Sequence, residues 1–186
     1  NAALIDNGGG LIYDDALDIT WAQPDSGRSW NDANTWAAGL TLGGVSGWRL
    51  PYISVAAGVG PLDFGIAVDC STATELACRD NELGYMFYHN LSGTLGVGLN
   101  FSHPDPDLAL FPTYSGFAFF SGTEFDSDSA WGFFSLGAHY PNPKLYELSS
   151  WAVHAGNVVP APATVWLFGS GLLAMIGIAR RKRRNR

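Results

Sequence analysis

Ahead of its C-terminal tail this sequence is poor in basic residues. Outside its last seven positions it carries only Arg28, Arg49, Arg79 and Lys144 against all 17 acids, a net charge of −13 (4 − 17) for that part. A surface this acidic excludes unaided nucleic-acid binding and is repelled by anionic lipid. Cysteine is scarcer still: Cys70 and Cys78 are the only two, and they lack the paired spacing of a zinc site. His89, His103, His139 and His154 are scattered. None stands at helical metal spacing with another or beside a serine in a nucleophile-elbow pattern. No internal repeat is present, and nothing selects one pair of carboxylates for hydrolysis. The chain is therefore not expected to be an enzyme, and catalytic and cofactor-binding residues are expected to be none. A cation, a neutral glycan or a basic partner remain as ligand classes. Glycine is abundant at 23, and Trp, Tyr and Phe number 7, 7 and 11, a loop-rich and aromatic-rich composition.

Positive charge concentrates at the C-terminus. Ala163 to Ala179 is free of charge, and Arg180, Arg181, Lys182, Arg183, Arg184 and Arg186 follow without an acid among them. As a helix the apolar run would extend about 25 Å, a little short of a bilayer core, and its flanking arginines could snorkel. A transmembrane helix over 163–179 is expected, with 180–186 as a basic cytoplasmic tail. Arg180, Arg181, Lys182, Arg183 and Arg184 would orient it, and residues 157–162 would form a Pro/Ala linker. That leaves residues 1–156 as one extracytoplasmic domain, large enough for a sizeable core. The opening NAALIDN reads as a mature chain whose secretory signal has been removed. Outside the cytoplasm, a Cys70–Cys78 disulfide is the expected state of the two thiols.

Along the domain, Leu11–Tyr13 and Ile19–Gln23 read as a hairpin. A helix is expected from Trp30 to Leu40, with Ser29 as N-cap, Asp32 in the first turn and Ala33, Trp36, Ala37 and Leu40 on its apolar face. SGWRLP at 46–51 reads as a short buried strand, and 52–69 as a long loop. A second helix should start near Thr74, with Thr72 and Glu75 at capping-box spacing. Leu76, Leu83, Met86 and Phe87 would face inward, with a break at Gly84. Phe117–Glu124, Ser129–Leu136 and Ser149–His154 read as an antiparallel set, with turns at DSD and YPNPK.

Candidate ligand residues are sparse. QPD at 23–25 and WND at 30–32 share letters with the motifs of calcium-dependent lectins, but they lie five residues apart and the second opens a helix. Asp14/Asp15/Asp18, Asp105/Asp107 and Asp126/Asp128 make calcium the one candidate ion. Each cluster offers only a few oxygens where six to eight are needed, so turn formation is the plainer reading and no metal ligands are assigned. Tyr114, Phe117, Phe119, Phe120, Tyr140 and Tyr146 are candidates for stacking on sugars or partner side chains.

Two stretches resemble known families. VPAPA at Val159, Pro160, Ala161, Pro162 and Ala163, the glycine-bearing apolar run and the arginine cluster together resemble a PEP-CTERM-type sorting signal. The glutamate usual between the prolines is absent. The resemblance implies recognition by an exosortase-type processing enzyme, often alongside exopolysaccharide production. It also implies an inner-membrane and periplasmic location, with processing to the cell surface.

ALIDNGGGLIYDDALDITWAQ, WNDANTWAAGL, GGVSGWRLP, TATELA with LGYMFYHNL, FFSGTEF, SAWGFFSLG and SSWAVHAG, in order across residues 2–156, are similar to the Lcl C-terminal domain family. That family is related to the C-type-lectin-like fold. The implied class is α+β: two helices and a curled antiparallel sheet, followed here by the membrane helix. The family commonly has an arginine where this chain has His154. What the resemblance implies is a membrane-anchored surface or periplasmic protein that binds glycan or matrix polymer. The alternative is an accessory subunit docked on an inner-membrane complex through its membrane helix and acidic domain. An enzyme related to the sulfatase-activating type would need a reactive cysteine pair or a metal site, which the disulfide argues against.

Overall fold

A computed structural model describes residues 3–55, 70–99 and 105–160. The chain opens with three short antiparallel strands, β1 (Leu4–Asp6), β2 (Ile12–Asp14) and β3 (Ile19–Trp21). The expected hairpin is β2–β3, paired Ile12↔Trp21 and Asp14↔Ile19. Sequence patterning gives no sign of β1. It is three residues long with two of them exposed, too short for a period-2 pattern to register.

After β4 (Asp25–Arg28) comes α1 (Trp30–Gly39), as its residues dictate. The Ser29 side chain accepts from the Asp32 N–H and donates to the Asp32 carboxylate at 2.6 Å, a cap that satisfies an otherwise orphaned donor. Ala33 and Ala37 are fully buried, and Trp36 and Leu40 flank them half-buried.

The second expected helix is in fact three short pieces: α2 (Glu75–Cys78), α3 (Glu82–Tyr85) and a π-helical turn, Met86–Asn90. The break lies at 79–81, not at Gly84. There the chain pairs with residues 52–54 instead of continuing the helix: Ser54 N–H donates to the Asp80 carbonyl at 3.0 Å, and Glu82 N–H to Tyr52 at 3.0 Å. Thr74, not Thr72, caps α2, and Leu76 is 74% exposed instead of facing inward. A 3-10 turn, Pro106–Leu110, follows.

The remaining strands among the described residues are β5 (Ala118–Glu124), β6 (Ser129–Phe134), β7 (Ala138–Pro143), β8 (Leu148–Ser150) and β9 (Val153–Ala155). They and the first four form two sheets, β1-β2-β3-β9 and β4-β8-β5-β6-β7. YPNPK, expected to be a turn, lies largely in β7. That strand is an edge, where proline is tolerated. Segment 149–154, expected as one strand, divides between the sheets at Trp151–Ala152. SGWRLP contributes a single bridge, Arg49↔Val153.

The fold class expected from sequence is thereby corrected. The domain is a mixed, sheet-rich fold with few helices: its strands form two sheets, and β5 pairs with β8 in parallel. It is not a pair of helices on one curled antiparallel sheet. Among the described residues no helix is long and apolar enough to cross a membrane. The run expected to do so, 163–179, and the orienting Arg180–Arg184 cluster lie outside those residues.

Strand alternation distributes the core. Ile12, Trp21, Phe119, Trp131, Trp151 and Val153 point into one cluster. Their neighbours Leu11, Ala22, Phe120, Ala130 and Ala152 point into a second, under α1. Central strands buried on both faces lose the apolar/polar alternation that marks a half-exposed strand.

Candidate functional site

The four cations of the domain show where chemistry is left over. Arg28 pairs with Asp25 and lies 4.7 Å over the Trp36 ring. Lys144 pairs with Glu124 and lies 4.8 Å over Trp30. Arg49 pairs with Glu82 and lies 4.2 Å over Tyr52. Arg79, exposed, takes part in none of these three pairs. It stands on the rim of a cleft of about 420 Å³ whose lining includes Tyr52, Asp80, Glu82 and Thr123, within the size range of small-ligand sites.

The floor of this cleft is tied down. Arg49 grips Glu82 bidentately, Nη1 to Oε2 at 2.8 Å and Nη2 to Oε1 at 2.7 Å, the geometry that strengthens such pairs most. Burial alone would lower the Arg49 pKa. The bonds to the Glu82 carboxylate and its charge outweigh that, so the guanidinium stays firmly protonated. Glu82 Oε2 also accepts the Tyr52 N–H at 2.7 Å. Thr123 Oγ1 clamps Ile53, accepting its N–H at 3.0 Å and donating to its carbonyl at 2.9 Å. Tyr52 is thus fixed at its backbone and stacked by Arg49, yet its side chain stays open, the residue being 50% exposed. The site combines one rigid aromatic face, an exposed cation and an exposed carboxylate.

Near the C-terminal limit of the described residues the chain is held as firmly. Val158 is buried in the cluster under α1. Its N–H donates to Thr20 Oγ1 at 2.9 Å, and its carbonyl accepts from Asn7 Nδ2 at 2.9 Å.

Residues 158–184 match the PEP-CTERM protein-sorting motif. The chain therefore carries a signal for export across the membrane to the cell envelope or surface, of the kind recognised by exosortase-type processing enzymes. The match contains both Val159–Ala163 and the Arg180–Arg184 cluster. Of these, Val159 and Pro160 are described, and Val159 is 62% exposed. No curated protein and no solved structure matches the chain, so the similarity of residues 2–156 to the Lcl C-terminal domain family gains no support there.

Cys70 and Cys78 are joined in a disulfide, in keeping with export to an oxidising compartment. The bridge closes a short loop and contributes roughly 2–3 kcal/mol. Gly84 is required beside it: a Cβ there would stand 2.8 Å from Cys70 Sγ. The stacking candidates separate by depth. Phe119 and Phe120 are core, and Tyr114 packs on Phe119 and Trp151. Phe117, Tyr140 and Tyr146 are exposed, but none of them lines the cleft. Asp25 pairs with Arg28, and Asp32 joins the α1 cap. Asp105 caps the 3-10 turn, and Asp126 Oδ1 accepts from the N–H groups of Asp128 and Ser129. Among the described residues no group of three His, Cys, Asp or Glu is placed to hold a metal. His103 lies outside those residues. His139 meets Asn81 at 2.9 Å, and His154 packs 5.4 Å from the Trp48 ring.

Asp14 is fully buried. Its Oδ1 accepts from the N–H groups of Ala16 and Leu17, and its Oδ2 from Asn90 at 2.6 Å. Burial pushes its pKa up, and the hydrogen bonds only partly offset this. A carboxyl whose folded pKa exceeds its unfolded value contributes stability fully below the unfolded value, about 3.8, and loses it as pH rises through the folded value. Asp14→Asn keeps the turn bonds through its own oxygen, and Asn90, whose Oδ1 has no partner, can turn to meet the new amide. The stability of this variant relative to wild type should rise between about pH 4 and pH 7. Denaturation midpoints of both proteins at the two pH values check this; a difference independent of pH would contradict it.

Proposed function

We propose that this is an exported, non-enzymatic binding protein of the cell surface or periplasm that takes a neutral glycan or matrix polymer at the Tyr52 cleft. The observation that carries this reading is the Tyr52 ring, held rigid from behind by Arg49 and Glu82 and open to solvent in front. Aromatic faces stack on the apolar faces of sugar rings, and a preorganised face binds with less entropy loss. Exposed Arg79 and Asp80, with half-buried Ser54, supply donors and acceptors that hydroxyl groups need. Charge favours a neutral polymer: Arg49 offsets Glu82, Arg79 offsets Asp80, and the surrounding domain at −13 repels polyanions. Binding rather than catalysis fits a cleft whose buried carboxylate is engaged on both oxygens. Nothing among the described residues favours the accessory-subunit alternative, which leaned on a membrane helix at 163–179, outside those residues.

Retention of the purified protein on immobilised neutral polysaccharides tests the reading. Tyr52→Ala should weaken retention tenfold or more, about 1.4 kcal/mol, with little change in melting temperature because the ring is exposed. Tyr52→Phe should retain binding. Absence of retention on every neutral polysaccharide, or full retention by Tyr52→Ala, would sink it.

A further inference from the structure

Two independent observations meet at Val158. It is the first residue of the sorting-motif match, and among the described residues it is also the last one built into the core. It is 6% exposed, whereas Val159 is 62% exposed. Its side chain packs so closely on the loop before SGWRLP that a Cβ at Gly43 would stand 2.6 Å from Val158 Cγ1 and 2.9 Å from Leu11 Cδ1. Both of its backbone groups are occupied, by Thr20 and Asn7. The clamp is itself braced. Thr20 is fully buried and donates to the Gly156 carbonyl at 2.7 Å, and Asn7 Nδ2 also reaches Asn157 Oδ1 at 2.6 Å. Pro160 still rests on the domain, its Cγ 3.5 Å from where a Gly9 Cβ would be.

A processing enzyme must take its substrate as an extended segment whose backbone N–H and C=O groups are free to pair with the enzyme. Residues up to Val158 do not meet that condition while the domain is folded. Pro160 has no N–H to offer and lies against Gly9. We propose that this clamp sets the processing boundary: the cut falls C-terminal to Pro160, and the mature domain keeps Val158 as part of its core. In the step itself the peptide C–N bond breaks. Water supplies the oxygen of the new carboxylate, and a proton passes to the amine of the released tail. Only Ala161 and Pro162 separate Pro160 from the apolar run at Ala163, a reach of about 10 Å at most between clamp and run. The enzyme therefore works beside the folded domain. This boundary depends on the sorting motif and the clamp, not on the glycan reading.

Export of the full-length chain in a host with a matching exosortase-type enzyme, followed by intact mass and C-terminal peptide sequencing, tests the proposal. The product should end at Pro160 or beyond and melt within about 2 °C of the unprocessed protein. A product ending at Val159 or earlier, an uncut protein at the surface, or a product that melts well below its precursor overturns the proposal. Asn7→Ala removes one arm of the clamp at a half-buried position and should add shorter products ending before Pro160. Product ends identical to wild type in that variant would show that Asn7 holds no boundary.

Discussion

Trp151→Ala is expected to cost about 4 kcal/mol of folding stability, toward the upper part of the range for deleting a buried aromatic. Trp151 sits where the chain leaves the second sheet, after β8, and enters the first at β9. It is 2% exposed. Its ring lies 4.8 Å from Trp21, 4.9 Å from Phe111 and 5.3 Å from Phe119, so it joins both sheets and the 3-10 turn. Its Nε1 donates to the Ala22 carbonyl at 2.7 Å, beside the point where the paired strand crosses between the same sheets. Truncation opens a cavity and orphans that carbonyl, two separate penalties. Collapse cannot refill the space cheaply, because Leu83, Met86, Phe133 and other large side chains already border a small gap there. Against a typical total of about 5–15 kcal/mol, the variant should unfold at a much lower denaturant midpoint with an unchanged slope. Trp151→Phe should fall between the two. A loss below about 2 kcal/mol would show that the crossover is held elsewhere.

The same residue shows where sequence reading stops. WAVH reads as one strand because Trp151, Ala152 and Val153 are all apolar, and a strand buried on both faces has no period to betray a bend. The crossing is visible only through its partner, Ala22, more than a hundred residues away. Local signals fared better. Ser29 and Asp32 marked the start of α1, and the β2–β3 hairpin followed from two short apolar segments around an acidic turn. The second helix failed because Thr74, not Thr72, caps its first turn, Leu76 faces solvent, and the backbone beyond Cys78 has other partners. Hydrogen bonds from 52–54 claim the backbone at Asp80–Glu82, and Asn81, wholly buried, caps α3 instead. The sorting signal was legible because it is contiguous. The cleft was not, since Arg49 and Glu82 lie 33 positions apart. One signal could have pointed to it: with only four cations in so acidic a domain, each is worth asking about. Three of them cap an aromatic ring, and the fourth, Arg79, marks the opening.

Glu82→Ala should cost about 3 kcal/mol, because it leaves Arg49 charged and half-buried without its partner. The figure is set at the low end for a buried pair, since the Arg49 side chain keeps 30% of its exposure and Glu82 only 11%. The Tyr52 N–H loses its acceptor in the same step. Replacing both partners by apolar residues of similar size, Arg49→Met with Glu82→Leu, should recover most of the loss, because no uncompensated charge remains. A double-mutant cycle by chemical denaturation separates these terms. A coupling of about 2 kcal/mol is expected, and a coupling under about 0.5 kcal/mol would mean that the pair acts as two independent surface charges. Stability and binding should part company in the double variant. The fold is restored, but the cation behind Tyr52 is gone, and with it the stacking that holds the ring in place. Polysaccharide retention should then stay low in a protein that melts near the wild-type temperature. That combination would assign the ion pair to the cleft's preorganisation; recovery of both together would assign it to folding alone.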